Sequence, residues 1–174
     1  MRHTGFTLFE LLATIVILAT LLAIAAPNFN KTIQNTRTKT ATLELLSAIE
    51  QARSTAVFGN TRSVLASKSQ WHSGWSLFLD TDDDGVLGAD EQLITEHEAL
   101  DAVIITGNSH VKELISFIGS GEGRTPGKAK TGVVMVGTLT ICPITLGAGY
   151  KISLSKGGRS RVSEMTETEC DQKK

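Results

Sequence analysis

The chain has 174 residues, with 17 Lys/Arg against 18 Asp/Glu and a formal net charge of -1. That length suits one globular domain plus an extended element, and the overall charge names no partner. Aromatic residues make up only 5%, which excludes an aromatic-rich core and leaves Val, Ile, Leu and Ala to build it. The charge is unevenly spread. Residues 70–118 hold ten acidic groups against one basic, Lys112, and residues 119–174 hold nine basic against five acidic.

The chain opens on MRHTG, short and basic. Phe6 to Pro27 follow as FTLFELLATIVILATLLAIAAP, uncharged from Leu11 to Ala26. Leu8 to Ala26 as a helix spans roughly 28 Å, close to the hydrocarbon thickness of a bilayer. The basic flank predicts a cytoplasmic N-terminus and a C-terminal bulk outside. Ala25-Ala26 resembles the small residues of a cleaved secretory signal. The helical pattern continues past Pro27, however, and Glu10 sits inside the apolar run, where a carboxylate is costly and needs a partner. The segment therefore reads as retained.

Gly5-Phe6-Thr7-Leu8-Phe9-Glu10-Leu11-Leu12 resembles the class III signal of type IV pilins and type II secretion pseudopilins. The resemblance implies that a prepilin peptidase cuts after Gly5 and methylates the new N-terminus at Phe6. It also implies that Glu10, the fifth mature residue, meets the N-terminal amine of a neighbouring subunit in the filament core.

From Phe29 to Phe58 apolar residues recur at helical spacing, at Ile33, Ala41, Leu45, Ala48 with Ile49, Ala52 and Ala56, which predicts a helix with one apolar face. Gly59-Asn60 is its stop. Short β-rich runs follow at Ser63–Ser67, Trp75–Leu79, Gln92–Glu96, Val103–Thr106, Ser116–Ile118, Val133–Val136, Thr138–Cys142 and Tyr150–Leu154. Gly119–Thr131 reads as a glycine-rich basic loop. The expected organisation is a leader over 1–5, a transmembrane and filament-core helix over 6–28, an amphipathic helix half over 29–59 and a globular β-rich domain over 60–174. The fold class is α+β, a long N-terminal helix packed on an antiparallel β-sheet domain, as the pilin resemblance also implies.

Asp80-Thr81-Asp82-Asp83-Asp84-Gly85, with Glu91, fits the calcium-loop pattern D-x-[DN]-x-[DN]-G-x₅-E. A strand precedes it where that motif needs a helix, and Gly88 fills a position that usually supplies a ligand. The reading therefore favours an acidic β-hairpin tip turned by Asp-Gly. No metal and no cofactor is committed, with calcium as the lesser alternative. The two cysteines, Cys142 and Cys170, in a chain marked for export predict one disulfide, the alternative being two free thiols. The four histidines are scattered, no nucleophile or phosphate-loop motif is visible, and no enzymatic activity is expected.

Lys156-Gly157-Gly158-Arg159-Ser160-Arg161 follows a strand. Two arginines at alternating positions of an extended chain stand about 7 Å apart, and their planar forks suit phosphate. An ordinary solvated hairpin is the competing reading. Lys151, Lys156, Arg124, Lys128 and Lys130 extend the basic patch if folding gathers them. Leu46–Ala56, Gly74-Trp75 with Phe78 and Asp80, and the late order of Cys142, a Gly-Arg pair and a final cysteine resemble the FimT/GspH subgroup, which includes FimU. Gly158-Arg159-Ser160-Arg161 is similar to the GRxR motif of its DNA-binding minor pilins of the FimT type.

That resemblance implies a minor pilin near the pilus tip that binds extracellular DNA through its phosphates, without sequence preference, for natural transformation. The site is Lys156, Gly158, Arg159 and Arg161. Its partners are other pilins, the prepilin peptidase, the inner membrane before assembly, and DNA. The expected location is the bacterial inner membrane, single-pass with a periplasmic domain, and then the surface pilus. The alternatives are a minor pseudopilin of a type II secretion system, or a minor pilin that primes assembly without binding DNA.

Overall fold

The computed structural model describes residues 7–108, 110–127, 132–145 and 147–173, with the side chains at 23–28 left out. Gly5, Phe6, Lys128 and Lys130 lie outside the described residues. A helix, α1, is assigned over Leu8–Gly59. The chain divides into two compact units, Met1–Ile33 and Gln34–Lys174.

In the first unit the helix begins where the Thr7 hydroxyl accepts from the Glu10 N–H at 3.3 Å. Glu10 thus sits in the first turn, where a carboxylate meets the positive end of the helix dipole. Leu8, Phe9, Leu11, Leu12, Ile15 and Leu18 are each more than half exposed. A helix apolar around its whole circumference needs lipid or other helices to cover it. The Thr14 and Thr20 hydroxyls turn inward and donate to Leu11 O and Ile17 O at 2.7 and 2.8 Å. That back-bonding leaves the apolar surface without a free hydroxyl donor. Among the described residues no helix is long and apolar enough to cross a membrane. The span read from the sequence takes in residues 23–28, whose side chains are outside the description.

In the second unit α1 presents Ala41, Leu45, Ile49, Ala52 and Ala56, all buried, at spacings of three and four residues. Small alanines let the helix approach closely, so that these residues share one core with both sheets. The first sheet has the order β3-β2-β1-β5, with β1 Arg62–Ser67, β2 Trp75–Asp80, β3 Leu93–His97 and β5 Leu114–Phe117. The second has the order β4-β6-β7-β8, with β4 Val103–Gly107, β6 Gly137–Pro143, β7 Gly149–Leu154 and β8 Ser160–Met165. Every pairing is antiparallel. Trp71 and Trp75 are fully buried, and the Trp71 indole N–H donates to Val111 O at 2.9 Å.

Three elements differ from the sequence expectation. Val133–Val136 is not a strand; it makes one isolated bridge, Arg124 with Val134. Its partner segment carries Gly121, Gly123, Pro126 and Gly127, and proline cannot donate to a ladder. Ser160–Met165 is a strand that the pattern did not announce. It lies at a sheet edge with most of its residues exposed or half-buried, so it carries little apolar signal. Glu167–Asp171 forms a short helix, α2, begun by a reciprocal capping box between Thr166 and Glu169.

Candidate nucleic-acid interface

β7 and β8 are joined by a tight turn in which Gly158 N donates to Ser155 O at 2.9 Å and Ser155 N to Arg159 O at 3.0 Å. The Ser155 hydroxyl also accepts from Arg159 N at 3.2 Å. Gly158 has φ +73°, and a Cβ there would collide with the Gly121 carbonyl. Only glycine combines that left-handed backbone with so close an approach. The turn is thereby fixed, and it ends on Arg159. Arg161 follows two residues on, inside β8 and opposite Ser153. Lys156, Arg159 and Arg161 are all exposed. Among the described residues no carboxylate pairs with any of the three.

Register brings one more cation to the same face. Lys151 lies opposite Ser163, two residues along β7 from the partner of Arg161. Diagonal neighbours on one sheet face stand roughly 7–8 Å apart. Lys151 has a carboxylate within electrostatic reach, however. The backbone N–H and hydroxyl of Thr166 hold the Glu169 carboxyl below its usual range, and the charge of Lys151 adds to that effect. The carboxylate at Glu169 of α2 therefore borders the basic face near Lys151. The disulfide Cys142–Cys170 ties α2 to β6, as the cysteine count predicts. A Cβ on Gly149 would collide with the Cys170 sulfur.

Arg124 does not extend the patch. Its guanidinium makes two bonds to Glu122 Oε2, at 2.8 and 3.1 Å, and a third to Gly132 O at 3.1 Å. Residues i and i+2 of an extended chain point the same way, which brings Glu122 and Arg124 together.

The acidic segment joins β2 to β3 as a loop of residues 81–92, so the hairpin expected here has a long connection in place of a two-residue turn. Asp80 is 1% exposed. Its Oδ2 accepts from Gly85 N at 3.1 Å and lies 3.9 Å from Arg62 Nε. Arg62 is also buried and donates to Asp83 Oδ1 at 2.6 Å, to Ser116 Oγ at 2.8 Å and to Arg124 O at 3.0 Å. Burial pushes the Asp80 carboxyl above the usual carboxylate range, against the Gly85 N–H and Arg62, which favour the charged form. Glu91 bonds Thr81 N and Gly88 N at 2.7 and 3.0 Å and so clasps the two ends of the loop.

A long N-terminal helix begun beside a single glutamate, then antiparallel sheets sharing one core with its second half, is the architecture of pilin and pseudopilin subunits. A family model described as Type II transport protein GspH matches residues 41–158, and the prokaryotic N-terminal methylation motif matches residues 1–26. The chain belongs to the GspH family. Among solved structures it is similar to the type IV minor pilin FimU of Pseudomonas aeruginosa, at 21% identity and TM-score 0.56, covering 74% of this chain and 90% of that one. It is also similar to the minor pseudopilin EpsH from the type 2 secretion system of Vibrio cholerae, at 12% identity and TM-score 0.53, covering 73% and 96%. These identities establish a shared fold. No curated protein matches the chain.

Proposed function

We propose that this chain is a minor type IV pilin that binds DNA non-specifically, through its phosphates, at the β7–β8 turn. The observation that carries the reading is the exposure of Lys156, Arg159 and Arg161 without a carboxylate partner, on a turn whose backbone Gly158 fixes. Phosphate contacts of this kind position a protein on DNA without reading bases. No helix presents the arginines to a groove, and the exposed arginines suit a backbone that both single and double strands share.

The N-terminal methylation motif supports the assembly half of the proposal. Cleavage after Gly5 and methylation at Phe6 would leave a cationic amine in an apolar filament core. Glu10, at the start of α1, would neutralise the amine of a neighbouring subunit, since an intramembrane carboxylate is stable only with a partner. Residues 6–28 would anchor the subunit in the inner membrane, with residues 60–174 in the periplasm, until it joins the pilus. The prepilin peptidase and the other pilins are then its obligate partners.

The test uses the full chain in detergent with random-sequence duplex in a gel-shift assay at low salt. The parent should bind, and Arg159→Gln with Arg161→Gln should lose most of that binding. Equal binding by the two proteins would remove DNA from the reading and leave a subunit that primes assembly. A second reading, a minor pseudopilin, is favoured by the family description as a type II transport protein. Deleting the gene separates the two. Loss of transformation with intact protein secretion supports the pilin, and the reverse supports the pseudopilin.

A further inference from the structure

The acidic β2–β3 loop plays no part in the proposed DNA interface, and its chemistry differs. We infer that Asp80, Asp82 and Asp84 form a binding site for one calcium ion. One carboxylate oxygen from each of the three lies within 4.8 Å of the others. Two oxygens on opposite sides of a calcium ion stand about 4.6–5.2 Å apart, twice the usual bond length, so one ion can touch all three.

The independent observation is Asp80 Oδ1. Asp80 is 1% exposed, and this oxygen has no hydrogen-bond partner among the described residues. Leaving a buried carboxylate oxygen unpaired is costly, and a cation would pair it while also meeting the exposed carboxylates of Asp82 and Asp84, whose Oδ1 atoms accept from Asp84 N and Val86 N. Arg62 is the obvious competitor. Its Nε is committed to Asp83 at 2.6 Å and lies 3.9 Å from the other Asp80 oxygen, Oδ2. Asp83, at φ +63°, gives its carboxylate to Arg62, and the cluster consists of Asp80, Asp82 and Asp84.

Hard cations select such oxygen sets. The preceding element is β2, where a calcium loop of this pattern would have a helix. The local geometry formed in its place keeps the alternation of carboxylates without the helix. Glu91 acts as a positioning residue, since both of its oxygens clasp loop N–H groups. Three carboxylates on an extracellular loop fit the weak class of calcium site, with half-saturation at about 10⁻⁴–10⁻³ M.

Equilibrium dialysis of the full chain in detergent against ⁴⁵Ca²⁺, together with thermal melts by circular dichroism, tests this. One ion per chain should bind saturably, and the melting temperature should rise along the same curve. Asp82→Asn, an exposed substitution outside the core that removes one of three mutually repelling carboxylates and can keep the bond from Asp84 N, should move the midpoint at least about tenfold without lowering the calcium-free melting temperature. Magnesium at equal ionic strength should raise the melting temperature less, because it demands a tighter shell. The inference is overturned if no saturable binding appears up to about 10 mM calcium, the top of the weak range. It is equally overturned if Asp82→Asn titrates like the parent, or if ionic strength alone reproduces the melting shift. None of these outcomes bears on DNA binding, which the gel shift decides separately.

Discussion

The salt dependence of DNA binding gives the most quantitative test of the interface. Lys156, Arg159 and Arg161 are exposed and unpaired among the described residues, whereas Lys151 lies within electrostatic reach of Glu169. Counting the first three as phosphate contacts, the log–log salt slope for duplex DNA should be about -2.7. Raising salt from about 50 to 200 mM should then weaken binding roughly 40-fold. Replacing Arg159 and Arg161 by Gln leaves one contact, a slope of about -0.9 and a loss of only about fourfold over the same range. Lys151→Gln should change the slope less than the loss of an unpaired arginine does, because Glu169 lies within electrostatic reach of Lys151. Fluorescence anisotropy with a labelled random duplex across a salt series measures these slopes, and that of Arg159→Gln alone. A parent slope near zero would refute phosphate contact altogether. If Lys151→Gln changes the slope as much as Arg159→Gln does, then α2 does not limit the interface and the assignment of contacts is wrong.

The Cys142–Cys170 bridge closes a separation of 28 residues, so its loss should lower stability by about 3.6 kcal/mol on the chain-entropy account. Urea unfolding of Cys142→Ser with Cys170→Ser against the parent measures this, and an unchanged midpoint would rule the account out. Gly158→Ala places a Cβ against the Gly121 carbonyl at φ +73°, so it should destabilise by more than about 1 kcal/mol and weaken DNA binding without removing a charge. The Glu169 carboxyl is held below its usual value of 4.5 by Thr166. Its contribution to stability should therefore be present above pH 4.5 and be lost as pH falls through the lowered value. Melting curves of Glu169→Gln should lack that acid-side loss, and a profile identical to the parent would count against the capping box. Leu45 is fully buried on α1, and Leu45→Ala should cost about 2–5 kcal/mol in the same urea assay.

The elements most legible in the sequence are those whose signal is local. The apolar face of α1 is carried by Ala41, Leu45, Ile49, Ala52 and Ala56 at helical spacing, and these are the residues that are buried. Strands β1, β2, β6 and β7 have two or more buried apolar residues each and could be read directly. β8 could not, since an edge strand with one half-solvated face carries little apolar pattern. The capping box at Thr166 and Glu169 is visible in T-x-x-E, but no apolar run follows it, so it did not announce a helix. The pairing of Arg62 with Asp83 joins residues 21 apart and depends on the fold. Nothing in either segment alone reveals it. The same holds for Lys151, whose place beside Arg161 depends on the β7–β8 register.

The acidic loop and the basic turn rest on a common frame. Gly127 N donates to Asp83 O at 2.7 Å, and Arg62 donates to Arg124 O at 3.0 Å, so the segment after β5 supports the acidic loop. A few residues earlier, Gly121 O accepts from Arg53 Nε at 3.0 Å and is also the atom that excludes a side chain at Gly158. The segment Gly121–Gly127 thus buttresses both surfaces, which carry opposite charge. This arrangement has a physical rationale. A polyanion approaching the domain would be repelled by Asp82, Asp84 and Asp90 and attracted at Lys156, Arg159 and Arg161, so its orientation is set by the charges themselves. Calcium on the loop would weaken the repulsion without touching the attraction. A charge substitution at the basic turn should therefore change DNA binding and leave calcium binding as it was, whereas one on the acidic loop should remove calcium binding and reach DNA only through long-range repulsion, which added salt screens. A substitution that displaces the Gly121 carbonyl should damage the basic turn even though it changes no charge there. Separable charge effects on an inseparable backbone frame are what distinguish two built sites from a general acidic and basic surface.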